Sequence, residues 1–252
     1  MSVRVTGSPR PVGLVTGASR GIGLTIARSL AAAGYDLTIS ARNAAGLADV
    51  AADLSTAGAV IRPHRADMAV EQDVTDLAAA HVEAYDRLDV LVMSAGIGYA
   101  APLDTAPLHR FDRQFAVNVR APYVLVQALL PVMRTTARDH PARGVKIIAL
   151  SSITGVYAEP ALAAYGATKA ALASLCRSIN AEVSGAGVSA TAICPGYVDT
   201  DMTAWMREQL DPTSMIATAD IAELVMSVTR LSAHAVVPEI VVTRPGEQLH
   251  RA

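Results

Sequence analysis

Cysteine, aromatic residues and an excess of either charge are all scarce in this 252-residue chain, and each scarcity excludes something. The two cysteines, Cys176 and Cys194, cannot build a disulfide framework, and neither stands at metal-ligand spacing from a second Cys or His. No metal site is expected, and both read as small apolar residues of a reducing compartment. Aromatics make up only 4%. The 52% of hydrophobic residues are therefore mostly Ala, Val, Leu and Ile, the material of parallel sheets and their covering helices. Lys and Arg number 21 against 23 Asp and Glu, so no basic excess exists to bind a phosphate backbone, and nucleic acid is not expected as a partner. No apolar block of signal-peptide length precedes the first glycine turn, and charge or proline at Asp89, Arg120, Pro131 and Lys146 breaks the longest apolar stretches. The expectation is a cytoplasmic chain without a membrane span. No repeat or linker divides it, so residues 1–252 read as one domain.

What is present is an alternation of strand-like and helix-like segments, which predicts a parallel sheet wrapped by helices. Strands are expected at Val12–Thr16, Asp36–Ser40, Ala59–Pro63, Asp89–Met93, Val145–Leu150 and Val188–Cys194, with Ile240–Val242 as a seventh. Helices are expected at Ile22–Ala33, Ala44–Ala57, Val70–Tyr85, Pro107–Met133 (kinked near Pro122) and Ala164–Val183. The polar segment Thr135–Gly144 reads as a surface loop.

The first strand runs into Thr16-Gly17-Ala18-Ser19-Arg20-Gly21-Ile22-Gly23, where a helix opens. Glycines at such a junction let backbone approach a pyrophosphate and aim free N–H groups at it. Tyr165-Gly166-Ala167-Thr168-Lys169 then puts a phenol and an ammonium one helical turn apart, and Ser152 ends a strand 13 positions before the tyrosine. The glycine turn and the Ser…Tyr-x3-Lys arrangement, in order along nearly the whole chain, resemble the short-chain dehydrogenase/reductase family.

That resemblance implies a three-layer α/β doubly wound Rossmann fold, with a mostly parallel seven-stranded sheet and helices on both faces. It also implies hydride transfer between a nicotinamide cofactor and a carbonyl or secondary alcohol, with the 4-pro-S hydride moving. Gly17, Ser19, Arg20, Gly21, Ile22 and Gly23 would cradle the pyrophosphate. The second strand runs out as Ile39-Ser40-Ala41-Arg42-Asn43 with no acid at its tip. Arg42, with Arg20, therefore favours the 2′-phosphate of NADP(H), NAD(H) remaining possible. Asp67 would touch the adenine or serve as a helix N-cap, or both. Met93-Ser94-Ala95-Gly96 departs from the family's Asn-Asn-Ala-Gly: Ala95 and Gly96 keep the ribose contact, while Met93 loses a side-chain tie between central strands. In Cys194-Pro195-Gly196-Tyr197-Val198-Asp199-Thr200, the Pro195-Gly196 turn matches the family, with Val198 and Thr200 near the nicotinamide.

By the same resemblance Tyr165 is the general acid/base, Lys169 lowers its pKa and holds the ribose, and Ser152 binds the substrate oxygen. Asn118, an amide inside an apolar helix, distorts that helix and holds a relay water. Residues 201–217 would form a substrate lid containing Met202, Trp205, Met206 and Met215, with Ile97, Tyr99, Ile153 and Tyr157 as further walls around a ketone, aldehyde or alcohol. The two long helices would pair copies into a homodimer or homotetramer. Two alternatives stand beside this: a β-ketoacyl-thioester reductase of the same family, against which the tail Val237–Pro245 argues, and a non-catalytic NADP(H) sensor.

Overall fold

A computed structural model describes residues 10–56, 58–208 and 210–246. Seven strands form one sheet: β1 Val12–Thr16, β2 Asp36–Ala41, β3 Ile61–Arg65, β4 Val90–Met93, β5 Val145–Leu150, β6 Val188–Pro195 and β7 Glu239–Val242. Their order is β3-β2-β1-β4-β5-β6-β7 and every pairing is parallel, where the sequence predicted a mostly parallel sheet. Helices α1 Gly21–Ala32, α2 Ala44–Ser55, α3 Glu71–Tyr85, α4 Leu108–Phe115, α5 Ala121–Asp139, α6 Ala163–Val183 and α7 Thr218–Thr229 cover both faces. Alternate strand residues feed two cores. Leu14, Leu91, Ile147 and Ala149 pack toward α3, α5 and α6, while Val15, Val92, Ile148 and Leu150 pack toward α1, α2 and α7. Strand order reverses between β1 and β4, and a crevice at the carboxyl ends of such strands is where open α/β sheets bind ligands.

Two local expectations are corrected. Residues 135–139 continue α5 instead of starting a loop, because Thr136 and Ala137 are buried and the Thr136 hydroxyl accepts from Leu88 N at 3.0 Å. Tertiary packing overrides a polar stretch whose other side faces solvent. The run Leu108–Asp139 is also long and apolar enough by composition alone to cross a membrane, despite Arg120 and Pro131. Here it buries Leu125, Leu129 and Met133 against the sheet as a core helix. Pro131 sits on its exposed side, where the missing N–H leaves a carbonyl within reach of water.

Candidate active site

The β1–α1 turn is packed so closely that side chains are excluded. Gly17 (φ 67°) and Gly21 (φ 56°) occupy the left-handed region, and a Cβ on Gly17 would lie 2.8 Å from Ala95 Cα. A Cβ on Gly23 would lie 2.3 Å from the Gly17 carbonyl oxygen. The turn thus abuts the end of β4, and α1 begins with no side-chain cap and no acid in its first turn. Beside it opens a cleft of about 540 Å³. Gly17, Ser19, Arg20, Gly21, Ile22, Gly23, Arg42, Asp67, Ala95, Gly96 and Thr200 all line it.

The side chains refine these assignments. Arg42 is exposed, with no ion pair among the described residues, whereas Arg20 reaches across the cleft mouth to Asp201 Oδ2 at 3.1 Å. Asp67 is not the N-cap of α3, a position held by Val70; its Oδ1 accepts from Ala69 N at 2.9 Å. Thr200 caps the short 3-10 turn Asp201–Met206. Pro195, Gly196 and Val198 do not reach the cleft wall: Pro195 ends β6, Gly196 N donates to Val242 O, and the Val198 carbonyl accepts from Thr203 Oγ1 at 2.6 Å. Met93 is buried in the core, and Thr16 makes the strand tie that Met93 cannot. Its Oγ1 accepts from Ala95 N at 3.2 Å and donates to Val92 O at 3.4 Å.

Of the four residues expected to carry chemistry, Lys169 and Asn118 lie behind Gly96 and Tyr165 lies beside Gly98. Asn118 sits in a π-helical turn, Ala116–Arg120, between α4 and α5. This turn stands where a kink was expected at Pro122, whose missing N–H leaves a helix carbonyl unpartnered one turn back. The Asn118 amide is buried with both its N–H groups engaged: it accepts from Ile97 N (2.9 Å) and donates to Ile97 O (2.8 Å) and Thr168 Oγ1 (3.0 Å). Thr168 in turn donates to Tyr165 O at 2.7 Å. Lys169 is buried; its Nζ donates to Leu150 O at 2.7 Å and lies 5.5 Å from the centre of the Tyr165 ring. Ser152 Oγ accepts from Thr154 N (3.2 Å) and Thr154 Oγ1 (2.9 Å). Both its lone pairs are thus engaged, and its own proton is left to donate toward the neighbouring Tyr165 phenol.

The electrostatics differ from expectation. Burial pushes the Tyr165 phenol up to about 12, partly opposed by its hydrogen bond with Ser152, and burial lowers Lys169 to about 8. Lys169 does not by itself pull the phenol down, because both groups are desolvated and the ammonium bonds a carbonyl instead. Thr154, Thr168 and Thr16 went unmarked in the sequence, where an isolated threonine carries no signal of its own. The expected lid is two 3-10 turns, Asp201–Met206 and Pro212–Ser214. Trp205 and Met202 are exposed there, while Met215 packs with Ile153 and Tyr197.

A family model described as short chain dehydrogenase matches residues 11–211. The chain belongs to the short-chain dehydrogenase family. Its relatives act on CH–OH and C=O groups, and this short-chain dehydrogenase is an oxidoreductase of that kind using a nicotinamide cofactor. It is 38% identical over 194 residues to a rhamnolipid-biosynthesis 3-oxoacyl-[acyl-carrier-protein] reductase of Pseudomonas aeruginosa, covering 76% of this chain and 74% of that one. In structure it is similar to an alcohol dehydrogenase of Thermococcus sibiricus complexed with 5-hydroxy-NADP (TM-score 0.85, 27% identity, 94% of this chain and 100% of that one). It is also similar to a 3-oxoacyl-[acyl-carrier protein] reductase of Brucella melitensis in complex with NAD (TM-score 0.84, 26% identity, 94% and 96%). The cleft fits a dinucleotide on its own terms. Only hydrogen fits at Gly17 and Gly23, the first N–H groups of α1 open on it without a side-chain cap, and Ser40 Oγ on its wall is buried with no hydrogen-bond partner among the described residues.

Proposed function

We propose that this short-chain dehydrogenase interconverts a ketone or aldehyde and its alcohol with a preference for NADP(H), using Tyr165 as general acid/base. The observation that carries the reading is the grouping of Ser152 and Lys169 around the Tyr165 ring, with Lys169 reaching Gly96 on the wall of the cleft. The nicotinamide supplies or accepts the hydride. Ser152, oriented by Thr154, donates a hydrogen bond to the substrate oxygen, keeping its own proton, and stabilises the charge developing there. Tyr165 protonates that oxygen in reduction and takes the proton back in oxidation. Lys169 binds the cofactor ribose, and Asn118 holds the π turn through which a water can pass the proton outward. Arg42 contacts the 2′-phosphate, and Arg20 joins it by exchanging Asp201 for the phosphate. Asp67 flanks the adenine. Thr200, on the cleft wall, would lie against the nicotinamide, and Pro195, Gly196 and Val198 would reach it only if residues 201–217 moved as a lid.

The same reading takes the chain as one catalytic domain in the cytoplasm, consistent with two buried free thiols. Exposed Leu108, Phe111 and Tyr123 on α4 and α5 support pairing into a homodimer or homotetramer. NADPH oxidation against a panel of ketones and aldehydes tests the chemistry. Tyr165→Phe is expected to abolish turnover while still binding NADPH. Turnover retained by Tyr165→Phe would remove the assignment, and tight cofactor binding without turnover of anything would favour a sensor.

A further inference from the structure

A second cleft, also about 540 Å³, adjoins the first through shared walls at Arg42 and Ile97. Its remaining walls include Tyr99, His109, Arg110 and Arg113. A chain of net charge -2 thus gathers three guanidinium groups and an imidazole around one opening, with no carboxylate among the described residues of its walls. Arg110 stacks on the Tyr99 ring at 4.7 Å, which leaves its N–H edge free, and Arg113 is only loosely shared with Asp67 at 3.9 Å. The partition between this opening and the reacting centre is the segment Ile97-Gly98-Tyr99. Two buried amides one helical turn apart fix it: Asn118 bonds Ile97, and Gln114 Oε1 accepts from Tyr99 N at 3.1 Å. Gly98 between them faces the Tyr165 ring, where an added Cβ would lie 3.4 Å from two ring carbons.

We propose that this cleft is a substrate subsite for a phosphate ester carried at the far end of the carbonyl substrate. The inference rests on the proposed reaction at Tyr165 and names what lies beyond the carbonyl. One wall residue, Gly98, lies beside the Tyr165 ring, while the forked guanidinium donors of the other walls suit the several oxygens of a phosphate. A substrate with its carbonyl at Tyr165 can lay its tail over Gly98 and end among Arg110, Arg113 and His109.

The test is calorimetric and is made independent of turnover by saturating the protein with NADP+, which cannot reduce a ketone. The NADP+-saturated protein is titrated with two pairs of probes differing only by a phosphate: dihydroxyacetone phosphate against dihydroxyacetone, and 4′-phosphopantetheine against pantetheine. In at least one pair the phosphate is expected to tighten binding about tenfold at low salt, the order of one or two charge-assisted hydrogen bonds at a screened site. The pair that responds distinguishes a short phosphorylated substrate from a pantetheine-borne one. The double variant His109→Gln/Arg110→Gln, on exposed positions, is expected to lose that preference while keeping its NADPH affinity. Equal binding within both pairs overturns the proposal, as does a preference that survives the double variant. A preference seen only without NADP+ overturns it too, since the phosphate is then occupying the cofactor cleft. Failure of the Tyr165→Phe experiment removes the reaction without touching these binding results, so the two readings fail separately.

Discussion

Replacing Asn118 by alanine tests the site at the point where structure and proposed chemistry meet. The amide makes three hydrogen bonds, two to the main chain of Ile97 and one to Thr168, from a position 1% exposed. Thr168 keeps its bond to Tyr165 O, so the groups orphaned are the N–H and C=O of Ile97. Each costs about 1–3 kcal/mol if left unpaired, at the low end where water enters the vacated space. Alanine returns about 0.5 kcal/mol through helix propensity, so the net destabilisation expected is about 2 kcal/mol. Urea unfolding measures it as a lower midpoint with an unchanged slope. The activity loss should be larger than the stability loss implies, because Ile97 no longer anchors Gly98 against the Tyr165 ring. Turnover is therefore measured at saturating NADPH and at a temperature where both proteins are folded. A variant within about 0.5 kcal/mol of the parent, the range of ordinary surface substitutions, with turnover preserved would refute the reasoning.

The other predictions concern a buried histidine and the cofactor's phosphate. His81 is fully buried, with Nδ1 2.8 Å from Thr38 Oγ1 and Nε2 3.1 Å from the Arg87 carbonyl, and burial lowers it to about 4. The carbonyl requires a proton on Nε2, so Nδ1 accepts from Thr38 in the neutral ring. A depressed histidine pKa favours the fold above the unfolded value near 6.5, and that stability is lost as pH falls toward 4. By pH 5 the loss is about 2 kcal/mol, read as the drop in urea midpoint from pH 7. The same drop in His81→Gln would assign it to other groups. For the cofactor, Arg42→Ala is expected to weaken NADPH about tenfold more than NADH, and Asp201→Asn, by releasing Arg20, to tighten NADPH alone. Equal changes for both cofactors, measured by fluorescence titration, would dismiss the proposed phosphate contacts.

Much of this was legible from short-range pattern. The β1–α1 turn declares itself because strand, glycines and helix are contiguous, and Tyr165 and Lys169 because four residues make one helical turn. What stayed hidden depends on segments remote in sequence. Thr16 ties β1 to β4 across 79 positions, and Thr168 receives Asn118 across 50. Thr154 is different: it is only two residues from Ser152, yet its role depends on the 3-10 turn Ile153–Gly155 that follows the strand. The end of α5 was misread for the converse reason. A polar string marks solvent on one side, but the buried Thr136 and Ala137 decide that the helix continues. The pKa of Tyr165 was equally beyond reach of the sequence, since proximity to Lys169 suggests lowering and burial of both groups raises it to about 12. On the proposed assignment this has a direction. The chain's own groups hold Tyr165 as a neutral phenol, ready to give a proton in reduction. The phenolate needed for oxidation requires positive charge that the buried Lys169, lowered to about 8 and bonded to Leu150 O, does not supply alone. The positive ring of the oxidised cofactor would supply that charge, so deprotonation of Tyr165 should follow binding of the oxidised cofactor and not that of the reduced one.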